Sequence, residues 1–457
     1  MEWFLIPVSM LLKNFSYTLP TVLSTFPIYI LAGLFIYRLI SDSNSLEVLE
    51  VDRRVMTMTL SVLLSQLVMI VYSYQITTRP QDTSGMATGP INLFAYFANI
   101  FLVYYLLVLV LRGTKQIRNF IKATMITFLV FSILVLLPQI FATRFWNLDH
   151  YVNLIGHLFE ATHKGRTDFY QFGSYTTTLR RVNGFSQEAS FLAAQIGIVF
   201  IPFLLAAIKN KVDYFHDQMT KRSLAFYWGL LIFAFITLFF AKTSTGFVVI
   251  GVAVIAFIVS LPAGQRKNYY YGIGIALLIL LILYFVNPSI SELLNKYIFK
   301  KQGTSNRLGG TLALFLTFLH YPLFGVGRGY TSFYNFEFVP KALTHNEEFF
   351  RVFQQTGFSN QSMWGEVLAG YGLIGIVPVV IFVYHKIKKG RQLQNVLQHE
   401  LTPTTRLYIS IIDSFYYTLT IFAVVMLFSL SWTDNIYLVV FFFYIVVINY
   451  LDKELLR

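Results

Sequence analysis

An all-helical protein that crosses a membrane roughly eleven to twelve times is the fold class the sequence predicts, on three observations. The 457-residue chain is 56% hydrophobic and only 12% charged, where a soluble domain carries about a quarter charged residues. It contains charge-free windows long enough to cross about 30 Å of hydrocarbon as helices. Its basic residues collect between those windows, in alternate connections.

Taken in order, the windows begin near residues 14, 55, 91, 123, 189, 223, 243, 268, 367, 407 and 435, within a single polytopic unit covering residues 1–457. Only Asp413 places a charge inside one of them. The opening "WFLIPVSMLL" is too short to span and lacks a small-residue cleavage site, so it reads as an interfacial helix, with a twelfth span as the alternative. The short connections around Arg53 and Arg54, Arg112 to Lys122, Lys209 to Arg222, Arg266 and Lys267, and Lys386 to Arg391 hold the excess positive charge. By the positive-inside rule they are cytoplasmic. Parity then sets the amino terminus outside for eleven spans, and places residues 142–188 and 288–365 on the outer face. Segments that long are more often functional than connective. Topology thus accounts for the formal charge of +13, and no continuous basic stripe suggests nucleic acid. The absence of cysteine excludes disulfides and thiolate-metal sites.

The outer segments hold the candidate chemistry. In "LRRVNGFSQEASFLAAQ", Asn183-Gly184 is a turn signal, Ser186 is the expected N-cap, and Glu188 falls in the first turn of the helix that follows. Arginine near the middle of a span costs about 2.5 to 3.5 kcal/mol, so Arg180 and Arg181 belong at the rim. There, two guanidinium forks beside a helix start suit a phosphate or pyrophosphate; the competing reading is that they snorkel to headgroups. Lys242, in "FFAKTSTGF", is a third cation or an interface anchor. The apolar run from Leu308 to Leu319, bounded by Arg307 and His320, predicts a half-buried or re-entrant helix. Gly325, Gly327 and Gly329 flank Arg328 without forming a dinucleotide-binding fingerprint. His345-Asn346-Glu347-Glu348 brings together side chains used as general bases. Neither it nor His157, His163 and Asp168 has metal-ligand spacing, so no metal is expected. The many aromatics of both segments, Trp146, Tyr170 and Tyr175 among them, read as interfacial belts or as platforms for sugars.

The ordered set "RRVNGFSQEASFLAA", "KTSTG", "NRLGG...PLFGVGRGY" and "LAGYGLIG", from about residue 180 to 376, resembles the O-antigen polymerase and O-antigen ligase superfamily of bacterial envelope glycosyltransferases. The resemblance implies a GT-C-like membrane glycosyltransferase fold in the bacterial cytoplasmic membrane, with its active site facing outward. It implies polymerisation of undecaprenyl-pyrophosphate-linked oligosaccharide repeats into a surface polysaccharide, without metal or cofactor. The alternatives are ligation of the glycan to another acceptor and, from a different class, transport of an anionic lipid-linked glycan. A chain-length regulator and a flippase of the same pathway are the implied partners. Arg180, Arg181, Lys242, Arg307 and Arg328 would hold the pyrophosphate, and His345 or Glu188 would act as base. The family often has an arginine where Lys242 and Thr245 stand, and its His-Asn pair would fall near Gln361 and Ser362, downstream of His345-Asn346.

Overall fold

The computed structural model describes residues 1–13, 25–41, 49, 52–77, 85–163, 166–288, 291–292, 295, 304–347, 349–354, 358, 361–428 and 434–455. Among these there is no β-strand. After a short α1 (Leu5–Ser9) come α2 (Phe26–Ser41), α3 (Arg53–Ile76), α4 (Thr88–Val110) and α5 (Thr114–Ala142). Two small helices, α6 (Asp149–Phe159) and α7 (Tyr175–Leu179), precede α8 (Ala189–Asn210), α9 (Lys221–Phe240), α10 (Ser244–Ser260) and α11 (Ala263–Val286). Then α12 (Thr304–His320) and α13 (Thr331–Phe338) lead to α14 (Met363–Gln398), α15 (Pro403–Val425) and α16 (Asn435–Leu455). Eight of these, α3, α4, α5, α8, α9, α14, α15 and α16, are long and apolar enough to cross a membrane. The chain is a multi-pass membrane protein. Together with α2, α10 and α11 they follow the eleven sequence windows. For the first window the described helix is Phe26–Ser41, and residues 14–24 lie outside the described residues.

The bundle is built around α8, which is apolar on every face and almost wholly buried. It packs on α15, α9 and α10, with Phe200 stacked on Phe128 of α5 and Phe203 on Tyr444 of α16. The basic connections meet at one end, through ion pairs Arg118–Asp217 at 2.6 Å, Lys209–Asp413 at 2.9 Å and Lys389–Asp452 at 2.6 Å. Asp413, the acid inside a span, also accepts from Asn210 and Gln394, so its burial leaves no unmatched charge.

The amino-terminal segment is packed into the bundle rather than lying along its surface as an interfacial helix. Leu5 and Ile6 are fully buried. Glu2 accepts from Asn119, in the first turns of α5 at the basic end, whereas Lys13 donates to the His157 carbonyl in the opposite-face segment. The segment therefore runs between the two ends of the bundle. Its apolar residues gain more from the helix packing of α5 and α16 than from lying along a surface.

The helix expected between Leu308 and Leu319 is present as α12, the first arm of an α12–α13 hairpin. Its tip reaches the middle of α3: Gln66 Nε2 donates to the Phe324 carbonyl at 3.2 Å and Gln66 Oε1 accepts from Arg328 N–H at 3.0 Å. Backbone buried among helices must be paired. Here α14 breaks at Gly372 (φ 62°, ψ −165°), and the freed groups pair with the tip. Val326 and Gly327 N–H donate to the Ala369 and Gly370 carbonyls, while Leu373 and Ile374 N–H donate to those of Pro322 and Leu323. A Cβ at position 372 would come within 2.4 Å of the Leu323 carbonyl, so the junction requires glycine.

Candidate functional site

At the end opposite the basic connections, the segment between α5 and α8 folds over the α9–α10 turn. Helix α7 starts with a capping box between Ser174 and Thr177 and ends at Arg180, whose backbone is left-handed (φ 53°). That conformation costs a non-glycine residue about 1–2 kcal/mol, and Lys242 adopts it too (φ 50°). The two residues interlock. Lys242 Nζ donates to the Arg180 carbonyl at 2.9 Å, Arg181 Nε donates to the Ala241 carbonyl at 3.2 Å, and Val182 N–H donates to the Phe240 carbonyl. Arg180 and Arg181 thus share one junction with Lys242, some sixty residues downstream.

The two arginines differ in their partners. Arg180 forms a bidentate pair with Asp149 of α6, both bonds 2.7 Å, and a third bond to the Ala142 carbonyl. Its guanidinium also stacks on Trp146, 3.8 Å from the ring centre. The charge of Arg180 is therefore matched inside the protein, in a geometry among the strongest available to arginine. Arg181 leans over Tyr175 at 5.9 Å and donates to the backbone of the α9–α10 turn.

Asn183-Gly184 forms the predicted turn, with Gly184 at φ 59°. Gln139 of α5 accepts from both backbone N–H groups of that pair and donates to the Gly184 carbonyl. The helix start lies slightly later than expected. Glu188, not Ser186, occupies the N-cap position of α8, with extended backbone and no capping bond from its side chain. Ser186 is buried instead, and its N–H donates to the Asn183 carbonyl. Glu188 is half-buried, with Ser190 Oγ 3.5 Å away.

Glu160 is the residue that sequence reasoning missed. It is buried, and its Oε1 accepts from Tyr175 N–H at 3.0 Å and from Asn183 Nδ2 at 2.7 Å. No cation pairs with it among the described residues. Burial raises its pKa to about 7, against the lowering effect of those two donors. Nothing local marked Glu160, because its partners lie fifteen and twenty-three residues downstream. Nearby, the Tyr170 hydroxyl accepts from His163 N–H and donates to the Gln187 carbonyl, and burial pushes this phenol up.

The remaining candidates fall elsewhere. Arg307 is exposed near the start of α12, beside Asn306, which exchanges two amide hydrogen bonds with Asn346, at 2.9 and 2.7 Å. This exchange brings exposed His345 to the same place; Glu348 lies outside the described residues. Arg351, from the stretch after α13, is close enough to Asp168 to lower its pKa further, after the larger effect of the Arg166 hydrogen bonds. Arg328 stands apart, at the hairpin tip, with the Tyr371 hydroxyl 3.0 Å away and the Tyr96 ring at 4.1 Å. The structure thus joins Arg180, Arg181 and Lys242 at one junction, with Glu188 further along the same segment, puts Arg307 near His345 at a second place, and holds Arg328 at the hairpin tip. No protein-family model matches the chain, and no curated protein matches it.

Proposed function

We propose that this protein is a metal-independent glycosyltransferase that polymerises lipid-linked oligosaccharide repeats, with its site on the outer face of a bacterial cytoplasmic membrane. The observation that carries this reading is the shared junction of Arg181 and Lys242, whose side chains each donate to the other segment's backbone while Val182 N–H donates to the Phe240 carbonyl. In the reaction, an acceptor sugar hydroxyl attacks the anomeric carbon of the donor with inversion. The bond to the diphosphate breaks, and the electron pair passes to its oxygen. Cations fixed beforehand stabilise that growing charge more than they stabilise the ground state. Arg181 and Lys242 take this role, and Arg180, matched by Asp149, sets the turn that aims them. Glu188, in the same segment, accepts the hydroxyl proton; His345 is the alternative base, with Arg307 beside it. Arg328 is assigned to the hairpin rather than to the leaving group.

Purified protein in vesicles, given lipid-linked repeats without metal or nucleotide sugar, is expected to produce a ladder. Product that appears only when a different acceptor lipid is added would make the protein a ligase. Loss of one well-aimed donor costs about 10²- to 10³-fold in rate, so Arg181→Ala is expected to reduce the ladder to that extent. A wild-type ladder from Arg181→Ala and from Lys242→Ala would refute the assignment. Transport of an anionic lipid-linked glycan is a second reading, favoured by the α14 break beside half-buried Arg328. It predicts movement of the lipid between leaflets with no new glycosidic product.

A further inference from the structure

Helix α6 has three faces. Val152 and Gly156 are buried toward α7, where Asn153 donates to the Phe172 carbonyl and accepts from Ser174 N–H. His150 and His157 form an exposed polar flank. The third face is apolar and open: Leu154 and Leu158, one turn apart, are 52% and 50% exposed, and the approach to the helix adds Phe145 and Trp146 at 58% and 72%. In a connection that stood clear of the membrane, such a patch would be an aggregation liability.

One contact shows where the helix lies. Tyr151 donates its hydroxyl to the Leu134 carbonyl at 2.8 Å. Leu134 precedes the end of α5 at Ala142 by eight residues, or about 12 Å along the axis. Helix α6 therefore folds back down the side of α5. The side it descends is the exposed apolar band of Ile133, Leu134, Leu137 and Phe141, with which Leu154 and Leu158 are continuous. On a membrane-spanning helix that band faces lipid.

We propose that α6 is an interfacial helix embedded in the half of the bilayer opposite the basic connections, with Leu154, Leu158, Phe145 and Trp146 among acyl chains and His150 and His157 at the headgroups. The occupant of its open face is lipid, because the face continues a lipid-facing surface and its polar flank lies on one side only. The placement holds whatever reaction the protein performs. It also gives Asp149 a second meaning: the carboxylate that binds Arg180 belongs to a lipid-anchored helix, so the arginine turn is tied to the bilayer at a fixed depth.

The chain contains no cysteine, so single substitutions Leu154→Cys, Leu158→Cys, His157→Cys and Leu137→Cys can each carry a nitroxide label. The full-length protein is reconstituted in phosphatidylcholine–phosphatidylglycerol vesicles, and power saturation is measured with oxygen and with a water-soluble nickel chelate. Labels at 154 and 158 are expected to collide with oxygen several-fold more than with nickel, as at 137, while the 157 label shifts toward nickel. Nickel-dominated relaxation at both 154 and 158 would overturn the proposal by placing the face in water. Low access to both reagents would overturn it by showing a protein contact.

Discussion

Replacing Glu160 with glutamine tests the least expected feature of the site. The carboxyl is buried and accepts two hydrogen bonds from uncharged donors, with no cation beside it among the described residues. Its pKa is raised from 4.5 to about 7. Between these values the folded protein holds a proton that the unfolded chain has released, so stability must fall as pH rises through that window. The contribution is intact below pH 4.5 and lost above about 7. The gap corresponds to about 3 kcal/mol, at 1.36 kcal/mol for each pH unit. Glu160→Gln keeps a neutral oxygen for Tyr175 and Asn183 and removes the titration. Thermal unfolding of both proteins in the same detergent, from pH 4 to 8.5, should give parallel behaviour below pH 4.5. Above pH 7 the variant should be the more stable, by a margin approaching that figure. A difference that does not change with pH, or a wild-type protein that gains stability as pH rises, would refute the reasoning, because either requires a carboxylate already charged and paired.

Other substitutions test the neighbouring contacts. Asp149→Asn and Arg180→Ala should each destabilise the protein, and a double-mutant cycle should return a coupling of about 1 to 3 kcal/mol for this half-buried bidentate pair; additive effects would mean the two side chains do not cooperate. Gly372→Ala forces a Cβ to within 2.4 Å of the Leu323 carbonyl at a left-handed backbone position, and should lower stability by about 2 kcal/mol or more. The control Gly274→Ala, with nothing within 4 Å, should leave the unfolding temperature unchanged or slightly higher. Arg328→Lys should also destabilise, because an ammonium does not reproduce a planar guanidinium over Tyr96 that also bonds Tyr371; equal unfolding temperatures for Arg328→Lys and wild type would remove its role in seating the hairpin.

Much of the architecture was legible along the chain because it follows from local properties. A helix needs about twenty apolar residues to cross a bilayer, and lysine and arginine resist translocation, so helix positions and the grouping of basic connections can be read residue by residue. The Asn183-Gly184 turn and the helix after Arg307 were legible in the same way. The tertiary structure alone decided which groups meet across long separations. It gave Arg180 to Asp149, left Glu160 without a cation, sent residues 1–13 between the ends of the bundle and sank Arg328 against Tyr96 and Tyr371. The physical reason is that crossing a membrane is governed by the transfer energy of each segment. The charge and protonation of a site depend instead on the few ångströms around a side chain, and packing sets those distances.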